Sequence, residues 1–503
     1  MQPIFHTSGI RAIEAARGTV NLMEKAGLAI GTLAESLLPE ESGSILIVAG
    51  PGNNGGDALV AARHLKESWQ QLDVVFAGDA GKLPPDAARA RAAWSAAGGT
   101  LLTDIPEKHY DLVIDGLFGI GLSRPLQGIF LNLVRKINAL DATVLAIDIP
   151  SGLNADTGRA LGETVVADHT LTFLGLKPGL FTSDGVDHAG IVHVSNLGIS
   201  SAQAPDGWLI NETPVLPAPR KRNSHKGTYG SVGILGGDHG MVGAPLLAAR
   251  AALLTGSGRV YAGLLTEYAP VVDFGQPELM LRKAREVLDM DHLNVLIVGP
   301  GLGRSANAVT MVQRALRYPV ASLIVDADAL VLIAEHDELR QLLVERAHPA
   351  LLTPHPGEAA ALLGCSIADI QSDRIAKARD IAEKYHAITL LKGAGTVIAM
   401  PFEFPHSSLS HQVKEGEHPW YINTSGNPGL AAAGMGDALS GIMGALVAQG
   451  MALDQAALLG AWLHGAAADA LVEQGMGPLG LTASEVALKA RELINLWITP
   501  SSD

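Results

Sequence analysis

The sequence predicts two α/β domains in tandem, each built from strands and helices in alternation. At 503 residues the chain is too long for one ordinary hydrophobic core, and 48% of its residues are hydrophobic. In both halves short apolar runs alternate with helical patterns, which is typical of parallel sheets covered by helices. The segment PVLPAPRKRNSHKG, rich in proline and basic residues, separates the two series. We therefore expect domains at residues 1–212 and 213–503.

Apolar runs and their spacing predict the individual elements. In the first domain a helical lead-in at residues 9–38 precedes strands at residues 44–49, 73–77, 112–115, 143–147, 170–174 and 191–199. In the second domain a helix begins at Ala244, helices dominate residues 428–496, and strands are at residues 231–235, 295–298, 323–325 and 388–392. The apolar stretch at residues 439–453 is too short to cross a membrane, so we expect a buried helix there.

Composition excludes several classes of partner and compartment. The net charge of −15 argues against nucleic acid or an anionic membrane as a general partner. The single cysteine, Cys365, excludes an internal disulfide and fits a reducing compartment. The N-terminal sequence MQPIFHTSGIRAIE lacks the basic start and apolar core of a signal peptide. We therefore expect a cytoplasmic protein.

A glycine-rich loop, AGPGNNGGD, follows the first strand predicted after the helical lead-in. Gly50, Gly52 and Gly55 match the dinucleotide-binding fingerprint. However, the nearest acidic residue, Asp73, begins the next strand, whereas the fingerprint needs one at the end of that strand. The loop also contains two asparagines, whose side-chain amides add oxygen ligands and hydrogen bonds. These features favour a ligand site over the alternative, a tight turn with a helix cap.

Two further strand ends carry polar side chains ahead of glycine loops. VIDGLFGIGLSRP places Asp115 at a strand end before a loop and a helix start, and AIDIPSGLNADTG does the same with Asp148 and Ser151. Ligands collect outside the carboxyl ends of parallel strands, so the three loops should converge on one crevice. An aspartate at a strand end is often only a cap. The oxygens of Asn54, Asp115 and Ser151 nevertheless suit a hard cation such as K⁺ or Mg²⁺ better than zinc.

In the second domain, TSGNPGLAAAGMGDALSGIMGAL, residues 424–446, predicts a loop that leads into a helix start. Gly434 and Gly436 would let the helix N-terminus approach a phosphate closely. Asp437 has two interpretations. It is either a stabilising N-terminal charge or a base that takes the proton of a hydroxyl attacking a phosphoryl group. Residues 224–245 contain no GxxxxGK[ST], which argues against a P-loop.

Other strand ends of the second domain carry glycines or ionisable residues. One predicted strand is followed by GPGLGR, and another ends at the first residue of KGAGT. A third strand end, in VDADAL, carries Asp326 and Asp328. TPHPGE places His355 and Glu358 on one turn. Taken alone, His355 is more often a structural turn histidine and Glu358 a first-turn helix charge.

Together these motifs resemble a known family, the bacterial bifunctional nicotinamide nucleotide repair enzymes. PGNNGGD, DGLFGIGLSRP and DIPSGLNADTG resemble the NAD(P)H-hydrate epimerase half. HKGTYG, GPGLGR, DADAL, TPHPGE, KGAGT and GMGDALSG resemble the NAD(P)H-hydrate dehydratase half. The resemblance spans nearly the whole chain in the expected order. It implies a Rossmann-like three-layer α/β/α first domain and a ribokinase-like α/β/α second domain.

The resemblance implies an isomerase activity in the first domain, acting on NADH and NADPH that carry a hydroxyl at C6 of the nicotinamide ring (NADHX and NADPHX). This epimerase interconverts the R and S forms. Asp148 is our candidate acid and base, because inverting this carbon needs a group near the departing oxygen. The implied K⁺ ligands are Asn54, Asp115 and Ser151. The implied substrate-binding residues are Asn53, Asn54, Gly55, Gly56, Asp57, Gly119, Ile120, Gly121, Leu122, Ser123, Arg124, Pro125 and Asp148.

For the second domain the resemblance implies a hydro-lyase that dehydrates the S form at the expense of ADP or ATP, with Mg²⁺. Asp437 would help deprotonate the C6 hydroxyl, which takes a phosphoryl group before phosphate leaves. The implied substrate contacts are Ala244, Gly303, His355 and Asp437, and the implied nucleotide contacts are Lys392, Gly393, Ala394, Gly395, Thr396 and Gly436. The family favours ADP as donor and suggests a homo-oligomer.

The sequence departs from the family pattern at one motif. Ribokinase-like enzymes commonly have an asparagine ahead of the metal-binding glutamate, whereas HPGE has His355 there, which puts a metal role of Glu358 in question. Residues 402–421 match nothing that we assign.

Two alternatives to a repair function make different predictions. A ribokinase-like kinase of a small molecule such as a vitamin alcohol, with a cofactor-sensing first domain, would release a stable phosphorylated product. A nucleotide-responsive binding protein would need no base at position 437.

Overall fold

The computed structural model describes residues 1–16, 21–38, 43–69, 71–200, 202–319, 322–348, 350–401 and 419–499. The chain forms two compact units, Gln2–Gly207 and Trp208–Asp503. Most of the segment 402–421, to which the sequence analysis gave no role, lies outside the described residues. Within the described residues no helix is long and apolar enough to span a membrane.

The first unit alternates strands and helices as predicted. Its elements are β1 Gln2–Ile4, α1 Thr7–Ala15, α2 Leu22–Leu37, β2 Ile45–Ala49, α3 Asn53–Ser68, β3 Leu72–Phe76, α4 Pro85–Ala96, β4 Leu112–Gly116, α5 Ile129–Asn138, β5 Thr143–Ile147, β6 His169–Phe173, α6 Gly185–His188 and β7 Ile191–Ser195. The order β3-β2-β4-β5-β6-β7 is parallel throughout. The predicted parallel sheet is confirmed.

Helices cover both faces of this sheet. Along β2 the side chains of Ile45 and Ile47 pack with residues of α2, α3 and α4. Those of Leu46 and Val48 point the other way and pack with residues of α5. Successive strand residues face opposite sides, so a strand buried on both faces is apolar throughout. This explains why ILIVA is a continuous apolar run and confirms the three-layer arrangement.

The connection from β5 to β6 contradicts one expectation. We expected a helix start after the loop that carries Asp148 and Ser151, but residues 150–168 form turns without a helix. Gly152, Gly158 and Gly162 adopt φ values of 107°, 71° and 96°, which are incompatible with a right-handed helix. Asp148 and Ser151 therefore lie at the start of an irregular loop and not ahead of a helix.

The second unit is larger. Its elements are β8 Gly207–Ile210, β9 Ser231–Gly236, α7 Gly243–Leu254, β10 Arg259–Leu264, β11 Met280–Lys283, α8 Ala284–Val287, β12 Val295–Val298, α9 Ala306–Arg317, β13 Ser322–Val325, α10 Asp328–Glu335, α11 Asp337–Val344, β14 Leu351–Leu352, α12 Pro356–Leu363, α13 Ile367–Ser372, α14 Arg374–Tyr385, β15 Ile388–Leu391, β16 Thr396–Ala399, β17 Trp420–Asn423, α15 Met435–Ala448, α16 Leu453–Glu473 and α17 Ala483–Ile498.

Its strands lie in the order β8-β17-β16-β15-β14-β13-β12-β9-β10-β11. The pairs are parallel except that β16 is antiparallel to both β15 and β17. Helices α7, α15, α16 and α17 contribute to one continuous core with alternate residues of β9 and β12. Residues 438–448 of α15 are all buried, which confirms a core helix in place of a membrane span.

Helices α7 and α15 touch backbone to backbone. A Cβ on Gly441 would lie 2.0 Å from the Ala248 carbonyl oxygen, so the α7–α15 contact requires glycine at that position. Near the helix starts, a Cβ on Gly434 would lie 2.5 Å from a methyl carbon of Leu247. The two helices consequently run in close contact up to the edge of the sheet.

Candidate active sites

The edge of each sheet where the parallel strands end at their carboxyl termini carries the candidate residues. In the first unit the strand order changes direction between β2 and β4, and the loops after both strands leave the same edge. In the second unit the corresponding place is between β9 and β12. Crevices at such points are the usual ligand sites of open α/β sheets.

A tight glycine turn joins β2 to α3. A Cβ on Gly50 would lie 1.8 Å from the Leu117 carbonyl oxygen, and one on Gly55 would lie 2.0 Å from the Gly50 carbonyl oxygen. Both positions therefore require glycine. α3 begins at Asn53, and no described side chain caps it. The first N–H groups of α3 are left for an anionic ligand.

Asp115 at the end of β4 is fully buried and bound by uncharged donors. Its Oδ1 accepts from the Ser151 hydroxyl at 2.7 Å and its Oδ2 from the Ser151 N–H at 2.8 Å. Burial raises the pKa of Asp115 to about 6, although the hydrogen bonds from Ser151 oppose this. A buried carboxylate without a cationic partner is costly, so this place suits a bound cation.

Asn54 lies in the same neighbourhood. It is 9% exposed, and its buried Nδ2 has no described partner. A Cβ on Gly119 would lie 3.1 Å from Asn54 Oδ1 and 3.1 Å from Asp148 Oδ2. The fold thus brings Asn54 and Asp148 against the glycine loop after β4. The donor set offers oxygen ligands around one buried negative charge, which fits a hard cation such as K⁺ or Mg²⁺ and not a thiolate- or imidazole-binding metal.

The other predicted residues of this crevice differ in their surroundings. Burial, with the negative charge of Asp148 in second place, raises the pKa of Asp57 well above the usual range for an aspartate. Ile120 packs against the small apolar clusters next to the crevice. The remainder of the loop, Ser123, Arg124 and Pro125, is exposed at its outer end.

Sequence reasoning missed Lys177, which contacts Asp148 directly. Its side chain is completely buried, and its ammonium lies 2.6 Å from Asp148 Oδ1. The only sequence signal is one charged residue inside the apolar segment LGLKPGL, shortly after the strand TLTFL. Lysine is almost never fully buried unless it is paired, so an isolated lysine in such a segment indicates a buried partner.

In the second unit Lys392 connects three strand ends. Its ammonium lies 2.8 Å from Asp326 Oδ1 and 3.8 Å from Glu358 Oε2. Burial works against ionisation of Asp326, but the Lys392 ammonium outweighs it and lowers the pKa of that carboxyl. Asp326 Oδ2 also accepts from the Ser440 hydroxyl of α15 at 2.6 Å. A Cβ on Gly436 would lie 3.1 Å from Lys392 Nζ, so these two of the predicted nucleotide residues lie close together.

Asp437 is the third residue of α15, after a left-handed Gly434 at φ 85°. Burial raises the pKa of Asp437 to about 7; the negative charge of Asp326 adds to this and Lys392 opposes it. A carboxyl that titrates near neutrality can accept and release protons, as the second interpretation of Asp437 requires.

His355 and Glu358 form the start of α12 together. His355 Nδ1 accepts from the Gly357 N–H at 2.9 Å, and Glu358 Oε2 accepts from the His355 N–H at 2.8 Å. Both therefore have the structural roles considered for them above. Burial also raises the pKa of Glu358 to about 7, with Lys392 opposing. Glu358 is thus a cap whose carboxylate also faces the Lys392 cluster.

Ala244 and Gly303 lie at two neighbouring strand ends. The Gly303 N–H donates to Asp328 Oδ2 at 2.8 Å, and Gly303 has φ 70°. Ala244 is near the start of α7, and a Cβ on Gly301 would lie 3.2 Å from the Ala244 Cβ. The loops after β9, β12 and β13 therefore adjoin one another along the edge that also carries Lys392.

Arg374, which the sequence analysis also missed, supports the loop at residues 392–396. It is 2% exposed, and its Nη2 donates to the carbonyl oxygens of Leu391 and Lys392 at 3.2 and 3.3 Å. Gly393 has φ 138°, and a Cβ there would lie 2.9 Å from the guanidinium nitrogens. The sequence RIAKARD predicts an ordinary exposed helix start, so nothing in the sequence indicates that Arg374 is buried.

The fold and these residues define the class as a two-domain α/β enzyme, with a candidate ligand site in each domain. Residues 232–489 match the family model for NAD(P)H-hydrate dehydratase, and residues 19–179 match that of the YjeF-related protein N-terminus. The chain is 37% identical over 497 residues to the bifunctional NAD(P)H-hydrate repair enzyme of Coxiella burnetii, covering 96% of each chain. It is 36% identical over 498 residues to that of Escherichia coli, covering 95% of this chain and 90% of that one.

The chain therefore belongs to the family of bifunctional NAD(P)H-hydrate repair enzymes, as its motifs predicted. A solved structure similar to the second unit is the ADP/ATP-dependent NAD(P)H-hydrate dehydratase of Bacillus subtilis, co-crystallised with ATP and Mg²⁺. It is 26% identical, covers 57% of this chain and 100% of its own, and has a TM-score of 0.47.

Proposed function

We propose that this chain repairs hydrated nicotinamide nucleotides in two steps. The first domain interconverts the R and S forms of NADHX and NADPHX, and the second dehydrates the S form to NADH or NADPH. The setting of Asp437 carries this proposal: a carboxyl with a pKa of about 7 at a glycine-rich helix start, beside Lys392 and Asp326. A base near neutrality next to an anion-binding helix start suits phosphoryl transfer to a hydroxyl.

Dehydration proceeds by activation of a poor leaving group. Asp437 accepts the proton of the C6 hydroxyl as its oxygen takes the terminal phosphoryl group of ADP or ATP. The N–H groups at the start of α15 and the Lys392 ammonium stabilise the charge on the transferring group. The lone pair of the ring nitrogen then expels phosphate, and loss of a proton from the neighbouring ring carbon restores the dihydropyridine.

The residues that bind the two substrates of this step lie along one sheet edge. The nucleotide contacts that we propose are Lys392, Gly393, Ala394, Gly395, Thr396 and Gly436, and those of the hydrated ring are Ala244, Gly303, His355 and Asp437. Mg²⁺ bound with the nucleotide would neutralise phosphate charge. We assign Glu358 to Mg²⁺, because its buried carboxylate lies 3.8 Å from the Lys392 ammonium, and burial lowers the pKa of the His355 imidazole 3.2 Å away.

Epimerisation uses the crevice of the first domain. Asp148 moves a proton at the C6 oxygen, the start of α3 binds the pyrophosphate, and the loop after β4 covers the nucleotide. Asn54, Asp115 and Ser151 are the residues to which we assign K⁺. The buried and otherwise uncompensated charge of Asp115 supports this assignment. A K⁺ bound by these residues would supply positive charge for the phosphates of the substrate.

The test is recovery of NADH absorbance from a mixed pool of R and S hydrates, with Mg²⁺, K⁺ and either ADP or ATP. Complete recovery is expected, and the faster of the two nucleotides is the donor. Recovery that stops once the S form is consumed would refute the epimerase assignment. No recovery, with a phosphorylated small molecule found in a metabolite screen, would replace the repair function by the kinase alternative.

Cytoplasmic location and homo-oligomeric assembly are further proposals. The single cysteine and the motif resemblance support them. Cell fractionation tests the first, and light scattering of the purified protein tests the second.

A further inference from the structure

The buried ammonium of Lys177 lies beneath the carboxylate of Asp148. It donates to Asp148 Oδ1 at 2.6 Å, to the Thr172 hydroxyl at 2.8 Å and to the Phe173 carbonyl oxygen at 2.7 Å. An ammonium has three N–H donors, so all of them are used. Lys177 is 0% exposed, and its ammonium therefore stays where these three acceptors hold it.

This arrangement treats the two oxygens of Asp148 differently. Oδ1 faces inward, to Lys177 and to the Thr172 hydroxyl at 3.3 Å. Oδ2 lies on the side of the Gly119 loop, 3.1 Å from the position of a Cβ on Gly119. One oxygen is thus fixed to the protein interior while the other faces the crevice.

The backbone of Asp148 needs such support. Its φ of 67° lies in the left-handed region, which is strained for a residue with a side chain. Its N–H donates to the Leu171 carbonyl oxygen at 2.8 Å, and its side chain is tied to the segment that follows β6. Strain that the surroundings maintain at a site residue is typical of a functional constraint.

We propose that Lys177 is a positioning residue of the epimerase site, which holds Asp148 by Oδ1 and thereby directs Oδ2 at the C6 oxygen of the substrate. The inference rests on the proposed epimerase function. Lys177 itself does not touch the substrate, because its ammonium is buried behind Asp148 with all donors used.

The experiment measures R-to-S interconversion of NADHX by full-length Lys177→Met, Lys177→Arg and Thr172→Val. Lys25→Met is the control for loss of a lysine hydrogen bond elsewhere in the domain, because the ammonium of the exposed Lys25 donates to the Leu197 carbonyl oxygen at 2.8 Å. The melting temperatures of the same samples show whether the first domain of each variant is folded, and dehydration of pure S hydrate shows whether the second domain is intact.

We expect Lys177→Met to lower kcat of interconversion about 10- to 100-fold and to change KM less than about threefold. The reason is that a wrongly oriented Asp148 would slow proton transfer without weakening substrate binding. Lys177→Arg should recover part of kcat. Thr172→Val, which keeps the side-chain volume, should lower kcat about threefold even if Lys177→Met fails to fold. Lys25→Met should behave as the unchanged protein.

A kcat within about twofold of the unchanged protein in a folded Lys177→Met, or an unchanged kcat in Thr172→Val, would overturn the inference. An unchanged protein that dehydrates the S form and never interconverts R and S would instead refute the proposed function of the first domain. The two failures are therefore distinguishable.

Discussion

Asp437→Asn tests whether the carboxylate at the start of α15 acts as a base. The substitution keeps the size and shape of the side chain and removes its ability to take a proton. A positioned general base contributes about 10²- to 10⁴-fold to a rate. We therefore expect kcat/KM for dehydration of the S hydrate to fall at least about 100-fold, followed as the gain of NADH absorbance with saturating ADP.

The pH dependence gives the same test a second readout. Burial raises the pKa of Asp437 to about 7, so kcat/KM of the unchanged protein should rise with pH and reach half its plateau near pH 7. About a tenth of the group is ionised one unit below its pKa and about nine tenths one unit above it. In Asp437→Asn this limb of the profile should be missing.

Stability should change in the opposite direction to activity. A folded pKa of about 7, against an ordinary 3.8, means that the folded protein holds this proton more tightly than the unfolded chain. Stability should therefore fall progressively between about pH 4 and pH 7, and above pH 7 the loss is complete, at most about 4 kcal/mol. Asp437→Asn should raise the melting temperature at pH 8 and leave it nearly unchanged at pH 4.

Asp337→Asn is the control, because Asp337 is an exposed first-turn acid of α11. Its loss should cost no more than about 1 kcal/mol and leave the rate unchanged. If Asp437→Asn behaves like Asp337→Asn, with a small loss of stability and a rate within a few-fold of normal, Asp437 is only a helix charge and the base assignment is wrong.

Three other substitutions test further parts of the two sites. Gly55→Ala should abolish interconversion of the hydrates while dehydration continues, because its Cβ would lie 2.0 Å from the Gly50 carbonyl oxygen; normal interconversion would contradict the tight turn. Arg374→Met should raise KM for ADP about tenfold with a smaller change in kcat, since it frees the carbonyl oxygens of Leu391 and Lys392. Asp115→Asn should remove the activation of interconversion by K⁺ measured against Na⁺, and retained activation would place the cation elsewhere.

The sequence was most informative where one local pattern decided the structure. The strands at residues 143–147 and 295–298 were predicted to the residue, because strands buried on both faces must be apolar throughout. The loop and helix start around Gly434 were equally clear, since glycine and asparagine interrupt an otherwise apolar pattern there. The loops after parallel strands all leave the same edge of the sheet, so the position of a crevice at that edge could be predicted in each domain.

Long-range pairings were not predictable in the same way. β16 turns antiparallel in a sheet otherwise built from parallel pairs, and nothing in TVIA specifies its direction. The turns after β5 replaced a predicted helix because several glycines there adopt positive φ. Lys177 and Arg374 act through partners far along the chain or on another element. The sequence shows that one charged residue is present there, but it does not show which residue that side chain will contact.

The contact of α7 and α15 through Gly441 has a consequence for how this enzyme family can change. Ala244 lies near the start of α7 and Asp437 near the start of α15, and main-chain atoms at the Gly441 contact hold the two helices together. The spacing between the substrate contact and the base that we propose is consequently set by the backbone before any ligand binds, which is a form of preorganisation. Substitutions in the loops that follow the strands can then change substrate specificity. Gly441, by contrast, cannot be replaced by a larger residue without separating the two helices.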